Sequence, residues 1–215
     1  MANTRTQSHT QYINANGDRC VGVTTVLGLL DKPAIHYWIA KITKAGYDWV
    51  KYKDNLADIG TITHLRILCH LKGIEPDLAE YAPADVKQSD NCMLSFTEWE
   101  KTHKLEPICL EIPWTSDVYN YGGTADYLGL VNGRLELIDF KTGSGLYSDY
   151  FIQLAAYRQL AQELGHKVEH ARLLRIGRDN NEGFEERLIT KFDNEFELFK
   201  HLLAIYNLQK LMGRS

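Results

Sequence analysis

The sequence has 215 residues, 44% hydrophobic content, 11% aromatic content and a formal net charge of −4. These values predict one ordinary-sized domain with a real core and exclude extended disorder. The negative charge gives no general attraction to nucleic acid, so any such contact has to be local. No apolar run approaches the roughly 18 residues that span a bilayer. Since the N-terminus also lacks a signal-peptide core, we expect a cytoplasmic protein without membrane contact.

The first half is predicted to be mainly helical. Its expected elements are a small hairpin around Asn16-Gly17, a helical turn capped by Thr24 and Thr25, a helix from Pro33 through Trp49 and Val50, and helices at about 55–71 and 85–103.

The second half alternates strands with helices. Its expected elements are strands at 107–114, 121–131 and 135–141, a helix at about 149–164, strands at 171–176 and 184–189, and a terminal helix at 194–211. This order predicts an α/β (α+β) fold with a mixed central sheet flanked by helices. We expect a single domain over 1–215, with a helical part over 1–105 and a strand-rich core over 106–215.

Two aspartates and a lysine fall on neighbouring predicted strands. Asn132-Gly133 is a strong two-residue hairpin signal, and the hairpin brings Asp126 beside Asp139. Because side chains alternate along a strand, Asp139 and Lys141 share one face while Phe140 turns into the core. Two carboxylates and an ammonium group at one spot are typical of a metal-dependent phosphodiesterase site.

The alternative for Asp139 and Lys141 is an exposed ion pair, which contributes under about 1 kcal/mol. The apolar neighbours Leu137, Ile138 and Phe140 argue against an exposed strand end. A second acid-x-lysine triplet, Asp85-Val86-Lys87, has no preceding strand, and we interpret it as a solvated helix face.

Four short segments carry a resemblance to a known family. They are Gly60-Thr61-Ile62-Thr63-His64, Gly123-Thr124-Ala125-Asp126, Ile138-Asp139-Phe140-Lys141-Thr142 and Gln153-Leu154-Ala155-Ala156-Tyr157. In this order the chain resembles the PD-(D/E)XK nuclease superfamily. Within the superfamily the resemblance is to the RecB-like branch, which includes phage recombination exonucleases, CRISPR adaptation nucleases and the mitochondrial genome maintenance exonuclease. The resemblance covers most of the chain and implies a restriction-endonuclease-like core, although Ala125 stands where the superfamily's name has proline.

The resemblance implies a role for each matching residue. Asp126 and Asp139 would bind Mg²⁺ or Mn²⁺, with the backbone carbonyl of Phe140 as a further ligand. Lys141 would orient the attacking water and offset charge in the transition state. His64 would be an additional metal ligand, the alternative being a histidine satisfied in the core.

Three more residues are candidates with open alternatives. Gln153 and Tyr157 are four apart and share one helix face. By resemblance they meet the scissile phosphate or support Lys141; otherwise they belong to a partly buried amphipathic helix. Glu111 is either a further metal ligand or an acid on the surface of a strand, and the sequence favours neither interpretation.

The expected DNA contacts come from tyrosines around the site loops and from a locally basic late hairpin. They are Tyr121, Thr142, Arg175 and Arg178. Aromatic faces beside cations suit single-stranded DNA, although loop tyrosines are also common packing residues.

The resulting expectation is a Mg²⁺-dependent deoxyribonuclease, an exonuclease acting on DNA ends or single strands in recombination, repair or replication. The alternatives are a structure-specific endonuclease and a non-catalytic DNA-binding or recombination accessory module. Besides DNA, a recombinase or single-strand-binding protein is the expected partner. The four cysteines are spaced too widely for a zinc site and are expected to be reduced. Some RecB-like relatives carry a late cysteine cluster that accompanies an iron–sulfur site. No cysteine follows Cys109 in this chain, so the resemblance implies an enzyme without such a cluster.

Overall fold

The computed structural model describes residues 10–213, so the expectation about the extreme N-terminus concerns residues largely outside it. The first half contains the strands β1 (Tyr12–Ile13) and β2 (Arg19–Gly22) and the helices α1 (Val23–Leu27), α2 (Pro33–Lys44), α3 (Trp49–Lys72) and α4 (Pro83–Glu100). The second half contains β3 (Leu105–Ser116), β4 (Tyr121–Val131), β5 (Arg134–Thr142), α5 (Ser148–Glu163), β6 (His170–Ile176), β7 (Phe184–Ile189) and α6 (Asp193–Leu211).

The strands form one mixed sheet in the order β1-β2-β4-β5-β6-β7, with β3 paired to β4. β5 and β6 are parallel and are joined by the crossover helix α5, whereas β4–β5 and β6–β7 are antiparallel. Helices cover both faces, and the helical elements dominate the first half. The predicted fold class is therefore confirmed.

The two faces of the sheet pack against different helices. Leu128 and Leu137 lie in a core with α1, α5 and α6. Their neighbours Tyr127 and Ile138 lie in a second core with α3 and α4. This alternation is what a strand buried on both faces requires.

β4 pairs with two different strands along one of its edges. β3 pairs with both ends of β4, so β2 and β5 must pair with its other edge. On that edge β2 pairs at Tyr121 and Gly122, and β5 pairs from Tyr127 onward. Residues 123–126 lie between the two partners, and this gap positions the candidate site.

The prediction of one helix from Pro33 through Trp49 and Val50 is wrong. The helix from Pro33 ends at Lys44, because Gly46 adopts a left-handed φ of 85° and breaks it. Trp49 and Val50 begin α3, whose N-terminus is capped by the Asp48 carboxylate. All residues of α2 lie at least partly exposed, so its apolar positions do not form a buried face.

Thr24 and Thr25 are not caps, because α1 starts at Val23 directly after β2 and no side chain caps it. The interpretation of Asp85 as a solvated residue is also wrong. Asp85 is buried and accepts a hydrogen bond from Asn55, whereas Lys87 is exposed as expected.

All four cysteines are free thiols, as expected, and all but the half-buried Cys109 are buried. Among residues 10–213, no helix combines the length and apolarity that crossing a membrane requires.

Candidate active site

Asp126 and Asp139 meet across the β4–β5 hairpin. Its turn residues Asn132 and Gly133 have φ values of 51° and 81°, as a type I′ turn requires. Backbone pairing runs from the turn to Tyr127 and Ile138. At the next position a side chain replaces the backbone pairing, because Asp126 Oδ2 accepts a hydrogen bond from the Phe140 amide at 2.7 Å. The hairpin thus places Asp126 against the segment of β5 that carries Asp139.

Asp139 and Lys141 form a buried pair. Lys141 Nζ lies 2.8 Å from Asp139 Oδ2, and the two side chains are 17% and 3% exposed. Phe140, between them in sequence, is buried in the opposite core, as predicted. The alternative of an exposed surface ion pair is therefore excluded.

Lys141 continues into a chain of buried hydrogen bonds. Its Nζ donates to Gln153 Oε1 at 2.9 Å, and Gln153 Nε2 donates to the Tyr157 hydroxyl at 2.7 Å. Gln153 and Tyr157 are both buried on the inner face of α5. Gln153 therefore contacts Lys141 directly, and Tyr157 is linked to Lys141 through Gln153.

Three side chains from three elements could hold a metal ion. They are His64 of α3, Glu111 of β3 and Asp126 of β4, and one ligand atom of each lies within 4.8 Å of the others. Within this group His64 Nδ1 lies 3.3 Å from Asp126 Oδ1. The structure therefore brings together His64, Glu111 and Asp126, whereas Asp139, the other carboxylate predicted to bind the metal, pairs with Lys141.

The backbone is irregular where Glu111 faces Asp126. Glu111 has a left-handed φ of 49°, which is uncommon for a residue other than glycine. The pairs on either side are Leu110 with Tyr127 and Ile112 with Ala125. Along β4, Ala125 and Tyr127 pack into opposite cores although they are two residues apart. The alternation of faces thus breaks at Asp126, which lets its carboxylate reach His64 on α3.

Gly60 allows α3 to come close to the end of β5. A Cβ at this position would lie 2.8 Å from Thr142 Oγ1, too close for an ordinary contact. Since Gly60 is one helical turn before His64, its lack of a side chain helps to seat the imidazole at the site.

The acids of the site have opposite pKa shifts. Burial, together with the nearby Asp126 carboxylate, raises the pKa of Asp139 to about 6 despite Lys141. Burial also works to raise the pKa of Asp126, but His64, Lys141 and the Phe140 amide outweigh it and lower that pKa. For Glu111, burial and the Asp126 charge raise the pKa. The raised pKa values of Asp139 and Glu111 are typical of buried acids that lie close to another carboxylate.

The pKa of His64 is shifted in the direction opposite to that of its partner Asp126. Burial works to lower its pKa, but the Asp126 carboxylate outweighs burial and raises the pKa to about 8. The buried Asp139 Oδ2 makes no well-aligned hydrogen bond, although Lys141 Nζ is close. Oxygen donors, one imidazole and an excess of negative charge fit a hard divalent cation such as Mg²⁺ or Mn²⁺.

An open cleft of about 1610 Å³ leads to this group. His64, Glu111 and Asp126 lie on its lining. Four cationic residues also line it: Arg19, Lys72, Arg178 and Lys210. Of these the sequence analysis proposed only Arg178. Lys72 follows Gly60, His64 and Leu68 at intervals of four, a helix-face pattern that could have identified it.

The expected DNA contacts divide into two groups. Thr142 and Arg178 line the cleft, although Arg178 also pairs with Glu182. Tyr121 is fully buried and its hydroxyl donates to the Ala156 carbonyl, so this position offers DNA no surface. Arg175 is buried against Glu185 and the carbonyls of residues 143, 182 and 183. It holds the β6–β7 turn instead of facing the cleft.

Comparison with known proteins gives structural neighbours only. No family model matches the chain, and a search of curated proteins found no match. One similar solved structure is a putative exonuclease from Eubacterium rectale, with 14% identity, a TM-score of 0.48, and coverage of 71% of this chain and 67% of that one. Another is the alkaline exonuclease LHK-Exo from Laribacter hongkongensis, with 12% identity, a TM-score of 0.41, and coverage of 72% and 84%. Exonucleases are thus among the structural neighbours.

Proposed function

We propose that this protein is a metal-dependent DNA nuclease that hydrolyses phosphodiester bonds. The observation that carries the proposal is the buried Asp139–Lys141 pair directly behind the cleft residues His64, Glu111 and Asp126. Burying a lysine and an acid costs desolvation free energy, and DNA binding alone would not require such a pair beside a group of potential metal ligands. The arrangement is suited to phosphoryl chemistry.

In this proposal His64, Glu111 and Asp126 hold the cation, joined by Asp139 and the Phe140 carbonyl. When bound, Mg²⁺ or Mn²⁺ lowers the pKa of water and neutralises charge on the phosphate. The fit rests on the convergent donors of His64, Glu111 and Asp126 and on the second buried carboxylate, Asp139, whose pKa burial and the Asp126 charge raise.

Lys141 supplies a fixed positive charge. Since its Nζ is held by Asp139 and Gln153, the ammonium group needs little reorganisation when charge develops on the phosphate oxygens. Burial works to lower the pKa of Lys141, but Asp139 and Asp126 outweigh it and raise that pKa, so the lysine stays protonated. Gln153 and Tyr157 keep it in place.

The lining of the cleft supports the choice of substrate. Arg19, Lys72 and Lys210 come from three different elements and surround the approach to the acids, which supports a phosphate backbone as ligand. We extend the proposal to an exonuclease that acts on DNA ends or single strands in recombination, repair or replication. A recombinase or single-strand-binding protein would be its expected partner.

The mode of action is tested by digesting end-labelled linear DNA and closed circular DNA, each single- and double-stranded, with Mg²⁺ or Mn²⁺. We expect nucleotides to be released from linear DNA while circles stay intact. Cleavage of circles would instead indicate an endonuclease. DNA binding without cleavage of any substrate in either metal would indicate the accessory module.

A further inference from the structure

Tyr150 lies against the proposed catalytic lysine. Lys141 Nζ is 4.8 Å from the centroid of the Tyr150 ring. Tyr150 is on the first turn of α5, three residues before Gln153 and seven before Tyr157. This spacing puts all three side chains on one helix face. The face of α5 that holds Lys141 therefore begins at Tyr150.

The contacts of the ammonium group show what the ring adds. A lysine ammonium has three N–H donors. Asp139 Oδ2 and Gln153 Oε1 lie 2.8 Å and 2.9 Å from Nζ. The ring of Tyr150 offers a further, weaker attraction through its negative face. The ring attracts the ammonium group without offering an oxygen acceptor. The third N–H of Lys141 therefore stays available to a phosphate.

Tyr150 is itself fixed. Its ring meets that of Tyr147 edge to face, with centroids 5.6 Å apart, and its amide donates to the Tyr147 carbonyl. The next residue toward the N-terminus, Asp149, accepts a hydrogen bond from Lys32 at 2.7 Å. The start of α5 is thus anchored at Tyr147 and at Asp149.

We propose that Tyr150 is a positioning residue for Lys141: its ring holds the ammonium group against Asp139 and Gln153, with a proton directed to the reacting phosphate. This inference rests on the proposed nuclease function. It assigns Tyr150 a role through Lys141, distinct from stacking on a DNA base.

The kinetic test compares Tyr150→Phe, which keeps the aromatic face, with Tyr150→Leu, which removes it. We expect the single-turnover cleavage rate to fall about tenfold for Tyr150→Leu and to stay within about threefold for Tyr150→Phe. The dissociation constant for DNA should change by less than about threefold in both. Tyr37→Leu, at an exposed tyrosine of α2, is the control and should behave like the parent protein. Weaker DNA binding by Tyr150→Leu with an unchanged rate would overturn the proposal in favour of base stacking.

A double-mutant cycle with Lys141→Ala separates positioning from general packing. If Tyr150 acts through Lys141, adding Tyr150→Leu to Lys141→Ala should lower the rate no further. A second tenfold loss in that background would show that Tyr150 acts independently of the lysine, and the proposal would be wrong.

A readout without cleavage comes from NMR of protein labelled with ¹³C-lysine, with Lys141 assigned by its loss in Lys141→Arg. A cation over a ring should give the Lys141 ε-methylene protons an upfield ring-current shift. We expect this shift in the parent and in Tyr150→Phe, and its loss in Tyr150→Leu. An unchanged Lys141 signal in Tyr150→Leu would overturn the proposed contact. If the parent does not cleave DNA, the proposed function fails, and this measurement alone decides whether Tyr150 holds Lys141.

Discussion

Lys141 is the residue on which the proposed chemistry depends most. Its ammonium group is engaged by Asp139, Gln153 and Tyr150, and its side chain is only 17% exposed. Such a lysine acts from a fixed position, and its main effect is expected in the transition state and less in DNA binding.

Lys141→Ala should therefore lower the single-turnover rate by about two orders of magnitude or more, as loss of one electrostatic stabiliser does. DNA affinity should change much less, because one lysine among several phosphate contacts shifts binding modestly. Lys87→Ala is a matched control, since Lys87 belongs to the other acid-x-lysine triplet and is exposed. Equal rate losses for the two variants would contradict the assignment.

His64 is expected to matter through the metal. His64→Ala should raise the concentration of Mg²⁺ or Mn²⁺ that half-saturates activity, because one of the three convergent ligands is lost. Excess Mn²⁺ should restore part of the rate by mass action. The measurement is cleavage rate against metal concentration.

His36→Ala and His70→Ala serve as controls. His36 is exposed beside Asp31, and His70 pairs with Glu100 away from the metal group. The assignment of His64 fails if its variant cleaves like the parent while His70→Ala does not.

Some of these residues could be predicted from sequence and others could not. Asp126, Asp139 and Lys141 follow from one hairpin and an alternating strand, which are local patterns. Tyr121 could not be placed, because the side of the sheet that it faces depends on α5 and α6. Arg175 lies directly opposite Glu185 across β6 and β7, so its pairing requires the strand register.

At the scale of elements, the site depends on how closely α5 packs on β4. Gly123 lies under the Tyr157 ring, and a Cβ there would be 2.4 Å from a ring carbon and 3.2 Å from Val23. The glycine allows the ring of Tyr157 to lie against the strand, which in turn orients Gln153.

Gly123→Ala should destabilise the fold by about 1–3 kcal/mol through overpacking. It should also lower the cleavage rate, because a displaced Tyr157 disturbs the hydrogen bonds to Gln153 and Lys141. Urea denaturation and single-turnover kinetics measure the two effects. Gly145→Ala is the control, since its Cβ would meet Tyr147 at an ordinary 3.6 Å. Similar losses in both variants would show that close packing at Gly123 is not the cause.

The element bounds were largely predictable because hydrophobic period, turn residues and caps are local. β4 and β7 begin and end where the sequence predicts. The break between α2 and α3 was missed, because apolar residues continue at a helical period through Gly46. The break of alternation at Asp126 is not predictable either, since it lies opposite the irregular backbone of Glu111 on β3.

At the scale of the whole molecule, the ligands come from parts of the chain that meet only in the folded state. His64, Glu111 and Asp126 lie on α3, β3 and β4, and the cleft above them is also lined by residues of β1, β2 and α6. The unfolded chain has no such site. A cation that binds there should therefore stabilise the native state.

Thermal denaturation with and without Mn²⁺ measures this coupling. A cation at 100 times its dissociation constant contributes about 2.7 kcal/mol. For a chain of this size that corresponds to a rise of about 5–10 °C in Tm. Asp126→Asn, which removes a ligand charge, should lose most of this rise. A rise of the same size in Asp126→Asn would place the cation elsewhere.

The mixed sheet flanked by helices was predictable, because the order of strands and helices limits the possible topologies. The parallel pairing of β2 with β4 was not. It joins segments about a hundred residues apart through few hydrogen bonds, and it creates the gap in which the site lies.

Cleavage of end-labelled DNA by the metal-stripped protein, before and after addition of Mg²⁺ or Mn²⁺, tests the central claim most directly. We predict no cleavage in excess EDTA, because carboxylates alone do not activate water near neutral pH. Restored cation should restore cleavage in the parent and not in Asp126→Asn. Undiminished cleavage in excess EDTA, or full activity of Asp126→Asn, would contradict the account.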